Sequence, residues 1–118
     1  MKVYLVGPMR GIPDTEVSEP FVQGMKNRMA ASYFKYGPVA DGYPRKVDAI
    51  ASLRRYLERY EETGNAEFLM DVANFAMIEF MLPRHPNAHF RPTDSGESPG
   101  RVGHYGPTQS PNKDMVEL

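Results

Sequence analysis

The feature that most restricts the fold is a predicted helix, residues 66–82, that is apolar around nearly its whole circumference. Its apolar residues are Phe68, Leu69, Met70, Val72, Ala73, Phe75, Ala76, Met77, Ile78, Phe80, Met81 and Leu82. A helix of this kind is normally buried on all sides. Because a chain of 118 residues has too few other helices to enclose it, we predict that part of this helix packs against a second copy. The protein is therefore predicted to be a homo-oligomer.

Two amphipathic helices are predicted to precede this one. The first spans residues 18–36, with apolar side chains recurring every four residues. The second spans residues 44–63, and the residues between them, 38–43, are predicted to form a loop. Gly64 and Asn65 then end the second helix and cap the third. Such a tight turn predicts an antiparallel helix hairpin.

The two ends of the chain are predicted to be less regular. Residues 2–6 are rich in strand-forming side chains and predict one short β-strand. Beyond Arg84, prolines and polar residues interrupt any period, and residues 99–118 are predicted to be a flexible tail. The sequence thus predicts a mainly α fold in a single domain, residues 1–98. It has a three-helix core with the antiparallel hairpin, a short N-terminal β-strand and an irregular C-terminal extension.

Composition narrows the classes of function. The chain has no cysteine, which excludes disulfides, thiolate metal sites and a cysteine nucleophile. Its net charge is −1, so no overall electrostatic attraction draws it to nucleic acid or to an anionic membrane, and nucleic-acid binding is not expected. The apolar run at the N-terminus is too short for a signal peptide or a spanning helix. We therefore expect a cytoplasmic protein without membrane contact.

Acidic residues gather where the predicted hairpin turns. Glu67, Asp71 and Asn74 fall in one stripe of the third helix, and Glu58 and Glu61 lie near the end of the second. Carboxylates that face one another repel unless a cation lies between them, and Mg²⁺ is the usual occupant. Alternatively, the acids of the second helix pair with neighbouring arginines on a solvated face. In that case the acids of the third helix interact favourably with the helix dipole, or they belong to a buried network in which every polar group has a hydrogen-bond partner.

Basic and aromatic residues form a second group of candidates for ligand binding. The candidates for substrate binding are Lys35, Tyr36, Asn74, Arg84, His89, Phe90 and Arg91. Lysine and arginine suit phosphate recognition, and an aromatic ring can stack on a base. The alternative is that these residues are ordinary hydrogen-bonding groups, with the basic residues after the third helix favouring its C-terminal dipole.

Residues 21–82 resemble the all-α MazG-like nucleotide pyrophosphohydrolases and small phage and bacterial proteins related to them. The motifs that carry the resemblance are Lys35-Tyr36-Gly37, Leu57-Glu58-Arg59-Tyr60-Glu61-Glu62 and Glu67-Phe68-Leu69-Met70-Asp71-Val72-Ala73-Asn74-Phe75. In that family an acidic pair on each of two helices binds Mg²⁺. The resemblance implies that Glu58, Glu61, Glu67 and Asp71 hold Mg²⁺, with Glu58, Glu61 and Asp71 catalytic. Metal-activated water would then attack an α–β phosphoanhydride.

A shorter resemblance lies at the N-terminus. Residues 4–11, Tyr-Leu-Val-Gly-Pro-Met-Arg-Gly, are similar to the first strand and loop of nucleoside 2-deoxyribosyltransferase-like proteins. In that family the loop lines the nucleoside site. Together the two resemblances favour a phage-type nucleotide-binding protein, which acts in the bacterial host cytoplasm if phage-encoded. Two alternatives to the hydrolase remain: a non-catalytic anti-defence protein that sequesters a nucleotide or nucleotide-derived immune signal, and a module that inhibits a host factor by protein–protein contact.

Overall fold

The computed structural model describes residues 12–93, and within them the chain is mainly helical, as predicted. A 3-10 turn at Asp14–Glu16 precedes four α-helices: α1 (Glu19–Tyr36), α2 (Val39–Gly42), α3 (Ala49–Thr63) and α4 (Glu67–Met81). Residues 12–88 belong to one compact unit, and residues 89–93 fall outside it. The predicted strand at residues 2–6 and the predicted tail at residues 99–118 lie outside the described residues.

Helix α1 begins and ends where local capping signals place it. The Ser18 hydroxyl accepts a hydrogen bond from the backbone N–H of Phe21 at 3.1 Å, and Pro20 occupies the first turn. These groups suit a helix start because its first N–H groups have no partner within the helix. At the other end Gly37 has a φ of 86°, a backbone conformation that favours glycine.

The segment between α1 and α3 differs from the prediction in two respects. Residues 38–43 contain the short helix α2 instead of a continuous loop, and α3 begins at Ala49 rather than at residue 44. The physical reason is Asp48, whose carboxylate accepts a hydrogen bond from the backbone N–H of Ala51 at 3.0 Å. An aspartate that caps in this way defines a helix start more strongly than a proline four residues earlier. Pro44 follows a cis peptide bond.

Helices α3 and α4 form an antiparallel hairpin. Near the turn, the Arg59 guanidinium lies 5.3 Å from the centre of the Phe68 ring. At the opposite end, Arg84 follows α4 and Asp48 precedes α3. A guanidinium nitrogen of Arg84 lies 3.2 Å from the Asp48 carboxylate. Gly64 has a φ of 71° and closes the turn.

Helix α1 packs against the other side of α4, over Gly24. A side chain at this position would collide with the thioether of Met70, so the glycine permits the two helices to approach closely. The hydrophobic core they share is small: within residues 12–93 only Ala49 and Ile78 are buried apolar residues. Phe80 and Met81 of α4 stay exposed, so the described residues do not enclose α4 on all sides. No helix in the described part is long and apolar enough to cross a membrane.

Candidate functional site

An arginine on α1 binds the predicted acidic stripe of α4. The Nε and Nη2 groups of Arg28 donate hydrogen bonds to the two carboxylate oxygens of Asp71, the second at 3.0 Å. Its Nη1 lies 3.1 Å from an oxygen of Glu67. The hydrogen bonds that Arg28 donates to Asp71 raise the pKa of Arg28 above its ordinary value, although partial burial opposes this. The planar guanidinium thus matches the carboxylate in both charge and geometry.

This pair explains why an acid can lie inside the core. Asp71 is only 8% exposed, and an unpaired buried carboxylate would be costly. The sequence predicted that Asp71 is either functional or part of a satisfied network, but Arg28 was missed. A signal existed: Arg28 lies three residues after Met25, on the apolar face that α1 turns toward α4. A charged residue on such a face predicts a buried partner.

Asn74 continues the stripe one turn beyond Asp71. It is 5% exposed, and its Nδ2 donates a hydrogen bond to the backbone carbonyl of Met25 at 3.0 Å. Its Oδ1 is also buried but accepts no hydrogen bond. Asn74 lies in the wall between a large cavity and a smaller, methionine-lined groove of about 280 Å³.

The large cavity, which we call the central cavity, has a volume of about 630 Å³. It is lined by the second half of α1, by the segment around α2 and by the facing side of α3 and α4. Its polar and aromatic lining residues are Arg28, Ser32, Lys35, Tyr36, Asp41, Tyr43, Lys46, Tyr56, Asp71, Asn74 and Phe75. This volume lies within the range of small-molecule sites.

Aromatic rings form one wall of the central cavity. The ring centres of Tyr43 and Phe75 are 6.5 Å apart, and those of Phe75 and Tyr56 are 5.2 Å apart. Burial raises the pKa of Tyr43, and the nearby Tyr56 raises it further. At neutral pH the Tyr43 hydroxyl is therefore uncharged and can donate a hydrogen bond. The wall offers flat apolar faces with polar tips, which suits an aromatic ligand.

Three exposed charged side chains line the central cavity. Lys35 and Lys46 are exposed lysines, and Asp41 is an exposed carboxylate. The Lys35 ammonium lies 5.1 Å from the centre of the Tyr36 ring. Within the described residues none of these three charged groups forms an ion pair. By contrast, Arg28 is already neutralised by Asp71.

The structure thus brings together four of the residues selected from the sequence. Lys35 and Tyr36 at the end of α1, and Asp71 and Asn74 on α4, all line the central cavity. The second half of α1 supplies Lys35 and Tyr36.

The four predicted metal ligands do not converge. Glu58 is exposed and lies 3.4 Å from Arg55 on its own helix, Glu61 is exposed, and Glu67 and Asp71 both bind Arg28. Within residues 12–93 no group of three or more histidine, aspartate or glutamate side chains lies close enough together to hold a metal ion. Magnesium binding therefore remains a prediction from the resemblance.

Of the remaining substrate-binding candidates, Arg84 does not line the central cavity. Arg84 forms the ion pair with Asp48, and its backbone N–H donates to the Glu79 carboxylate at 2.8 Å. Arg84 thus connects the residue that precedes α3 to the end of α4. His89, Phe90 and Arg91 are exposed and belong to the residues outside the compact unit.

Comparisons with protein-family models, with curated proteins and with solved structures find no match to this chain. The resemblances to the MazG-like enzymes and to the deoxyribosyltransferase-like proteins therefore stay predictions, and the central cavity carries the functional argument.

Proposed function

We propose that this protein binds a nucleotide in the central cavity. The observation that carries the proposal is the combination of an aromatic wall, formed by Tyr43, Tyr56 and Phe75, with two lysines that have no carboxylate partner among residues 12–93. Aromatic faces stack on a base, and lysine ammonium groups bind phosphate. The cavity also has the volume of a small-molecule site.

Binding without turnover is the better supported form of this proposal. A hydrolase must activate water, and the resemblance gives this task to Mg²⁺ held by the acids. Asp71, the most buried of those acids, instead uses both of its oxygens to accept hydrogen bonds from Arg28. This arrangement supports the sequestering protein over the pyrophosphohydrolase.

The test uses two exposed aromatic residues of α1. Tyr36 lines the central cavity and is 71% exposed, whereas Phe34 does not line it and is 85% exposed. Neither replacement removes a core side chain, so both Tyr36→Ala and Phe34→Ala should fold. Nucleotide affinity, measured by isothermal titration calorimetry, should fall in Tyr36→Ala and stay near wild type in Phe34→Ala. Wild-type protein that binds no nucleotide would refute the proposal, and so would equal losses in both variants.

A second function has its own observation. Tyr33, Phe34 and Tyr36 expose 55%, 85% and 71% of their surface at the end of α1, which is unusual for three large side chains so close together. Such a patch supports the protein–protein module, or the predicted homo-oligomer. Sedimentation of wild type and Phe34→Ser tests for self-association. If both proteins sediment as monomers, the homo-oligomer is excluded, and the patch would have to bind a different protein.

A further inference from the structure

We infer that the ligand of the central cavity is a ribonucleoside monophosphate. This inference rests on the proposed function and makes it specific. It follows from the number of charges that the cavity offers, from the carboxylate among them and from the aromatic wall that faces them.

The charge balance limits the number of phosphates. Arg28 and Asp71 neutralise each other, which leaves Lys35, Lys46 and Asp41 as the charges available to a ligand. Lys35 and Lys46 supply two positive charges, which match the charge of about −1.5 to −2 on a phosphomonoester at neutral pH. Asp41 is left to contact another part of the ligand. A triphosphate is more negative than two lysine ammonium groups can neutralise.

Asp41 indicates which part of the ligand faces it. An ionised carboxylate only accepts hydrogen bonds, so it favours hydroxyl donors and repels phosphate. Adjacent ribose hydroxyls are donors of this kind, and acidic residues bind them in dinucleotide sites. Asp41 lies beside Gly37, since a β-carbon added to that glycine would lie 3.8 Å from the Asp41 carboxylate oxygen. The sugar should therefore lie near the junction of α1 and α2, with its phosphate directed toward the lysines.

The base then faces the aromatic wall. Tyr43 is protonated at neutral pH, as tyrosine ordinarily is, so the wall does not repel an anionic ligand. Tyr43 and Phe75 lie on different elements, one after α2 and one on α4. A base against this wall would thus connect the α2 segment to the hairpin.

The experiment is calorimetric titration of the full chain. The probes in EDTA are the four ribonucleoside 5′-monophosphates, their nucleosides, the 2′-deoxy monophosphates and ATP, and ATP is titrated a second time with Mg²⁺ in buffer free of EDTA. At least one monophosphate should bind at least about tenfold more tightly than its nucleoside, because the phosphate adds charge-assisted hydrogen bonds. Lys46→Ala should remove most of this difference. Lys26→Ala is the matched control, since Lys26 is an exposed lysine of α1 outside the central cavity.

Asp41→Asn provides the second readout. It should reduce the preference for ribose over 2′-deoxyribose while the variant keeps its far-UV circular dichroism. If ATP binds only with Mg²⁺ and more tightly than every monophosphate, the inference is overturned, but nucleotide binding stands. The inference also fails if Lys46→Ala and Lys26→Ala behave alike. If no nucleoside or nucleotide binds, the proposed function fails together with it.

Discussion

The acids of α3 and the polar residues of α4 lie close together in the sequence but have different environments in the structure. Glu58 and Glu61 of α3 are exposed, and Glu58 pairs with the nearby Arg55 of its own helix. Asp71 and Asn74 of α4 are buried and bind groups on α1, more than forty residues away. The first pair is a solvated helix surface, whereas the second connects two helices.

The difference shows that an acidic motif does not have one physical role. A carboxylate on an exposed face loses little hydration, so its pairing contributes little to stability. A carboxylate removed from water must gain a partner, and the geometry of that partner then positions a helix. Here α1 is positioned in this way, and its second half consequently reaches the central cavity. Measured stabilities of variants on the two helices can test this contrast.

The largest effect is expected at Asp71. Asp71→Ala leaves Arg28 half-buried without its main partner, and should lower the free energy of unfolding by about 2–3 kcal/mol. We place this below the range for fully buried pairs because the Arg28 side chain is 37% exposed. Urea unfolding followed by circular dichroism gives the value. Glu67→Ala is the control, since Glu67 binds the same arginine but is 57% exposed, and should cost less than about 1 kcal/mol. Equal costs would contradict the contrast.

A double-mutant cycle sharpens the same point. Arg28→Ala and Asp71→Ala should each destabilise the protein, and together they should cost less than the sum, by about 1–2 kcal/mol. The reason is that the second change removes a charge that the first has already left unpaired. The cycle requires unfolding measurements on four proteins at one pH. Strictly additive costs would mean that the pair does not connect α1 to α4.

A smaller effect is expected at Asn74. Asn74→Ala removes the hydrogen bond to the Met25 carbonyl, and a buried hydrogen bond of this kind contributes about 1 kcal/mol. The matched control is Asn27→Ala, because Asn27 lies on an exposed face and accepts a hydrogen bond from Gln23 of its own helix. The change to alanine improves helix propensity equally in both. Asn74→Ala should therefore cost about 1 kcal/mol more than Asn27→Ala, and urea unfolding of the two variants measures the difference.

The features predicted from the sequence depend on contacts between residues close together in the chain. The features that were missed depend on contacts between distant residues. Helix α1 begins after Ser18 and ends at Tyr36, as predicted, because Ser18 and Gly37 each act on the helix residues beside them. The stripe of Asp71 and Asn74 was also predicted, since it depends only on helical periodicity. The Arg28 partner and the central cavity depend on how α1 lies against α4, and no local pattern specifies that.

The smallest effect is expected for Glu58→Gln combined with Glu61→Gln. Both side chains are exposed, so the free energy of unfolding should change by less than about 0.5 kcal/mol. The same variant also tests the magnesium prediction. If these acids bind Mg²⁺, the ion should raise the melting temperature of the wild type but not that of the variant, because a ligand that binds only the folded state stabilises it. If Mg²⁺ shifts neither protein, or both equally, Glu58 and Glu61 are not its ligands. The acids of α3 are then a solvated surface.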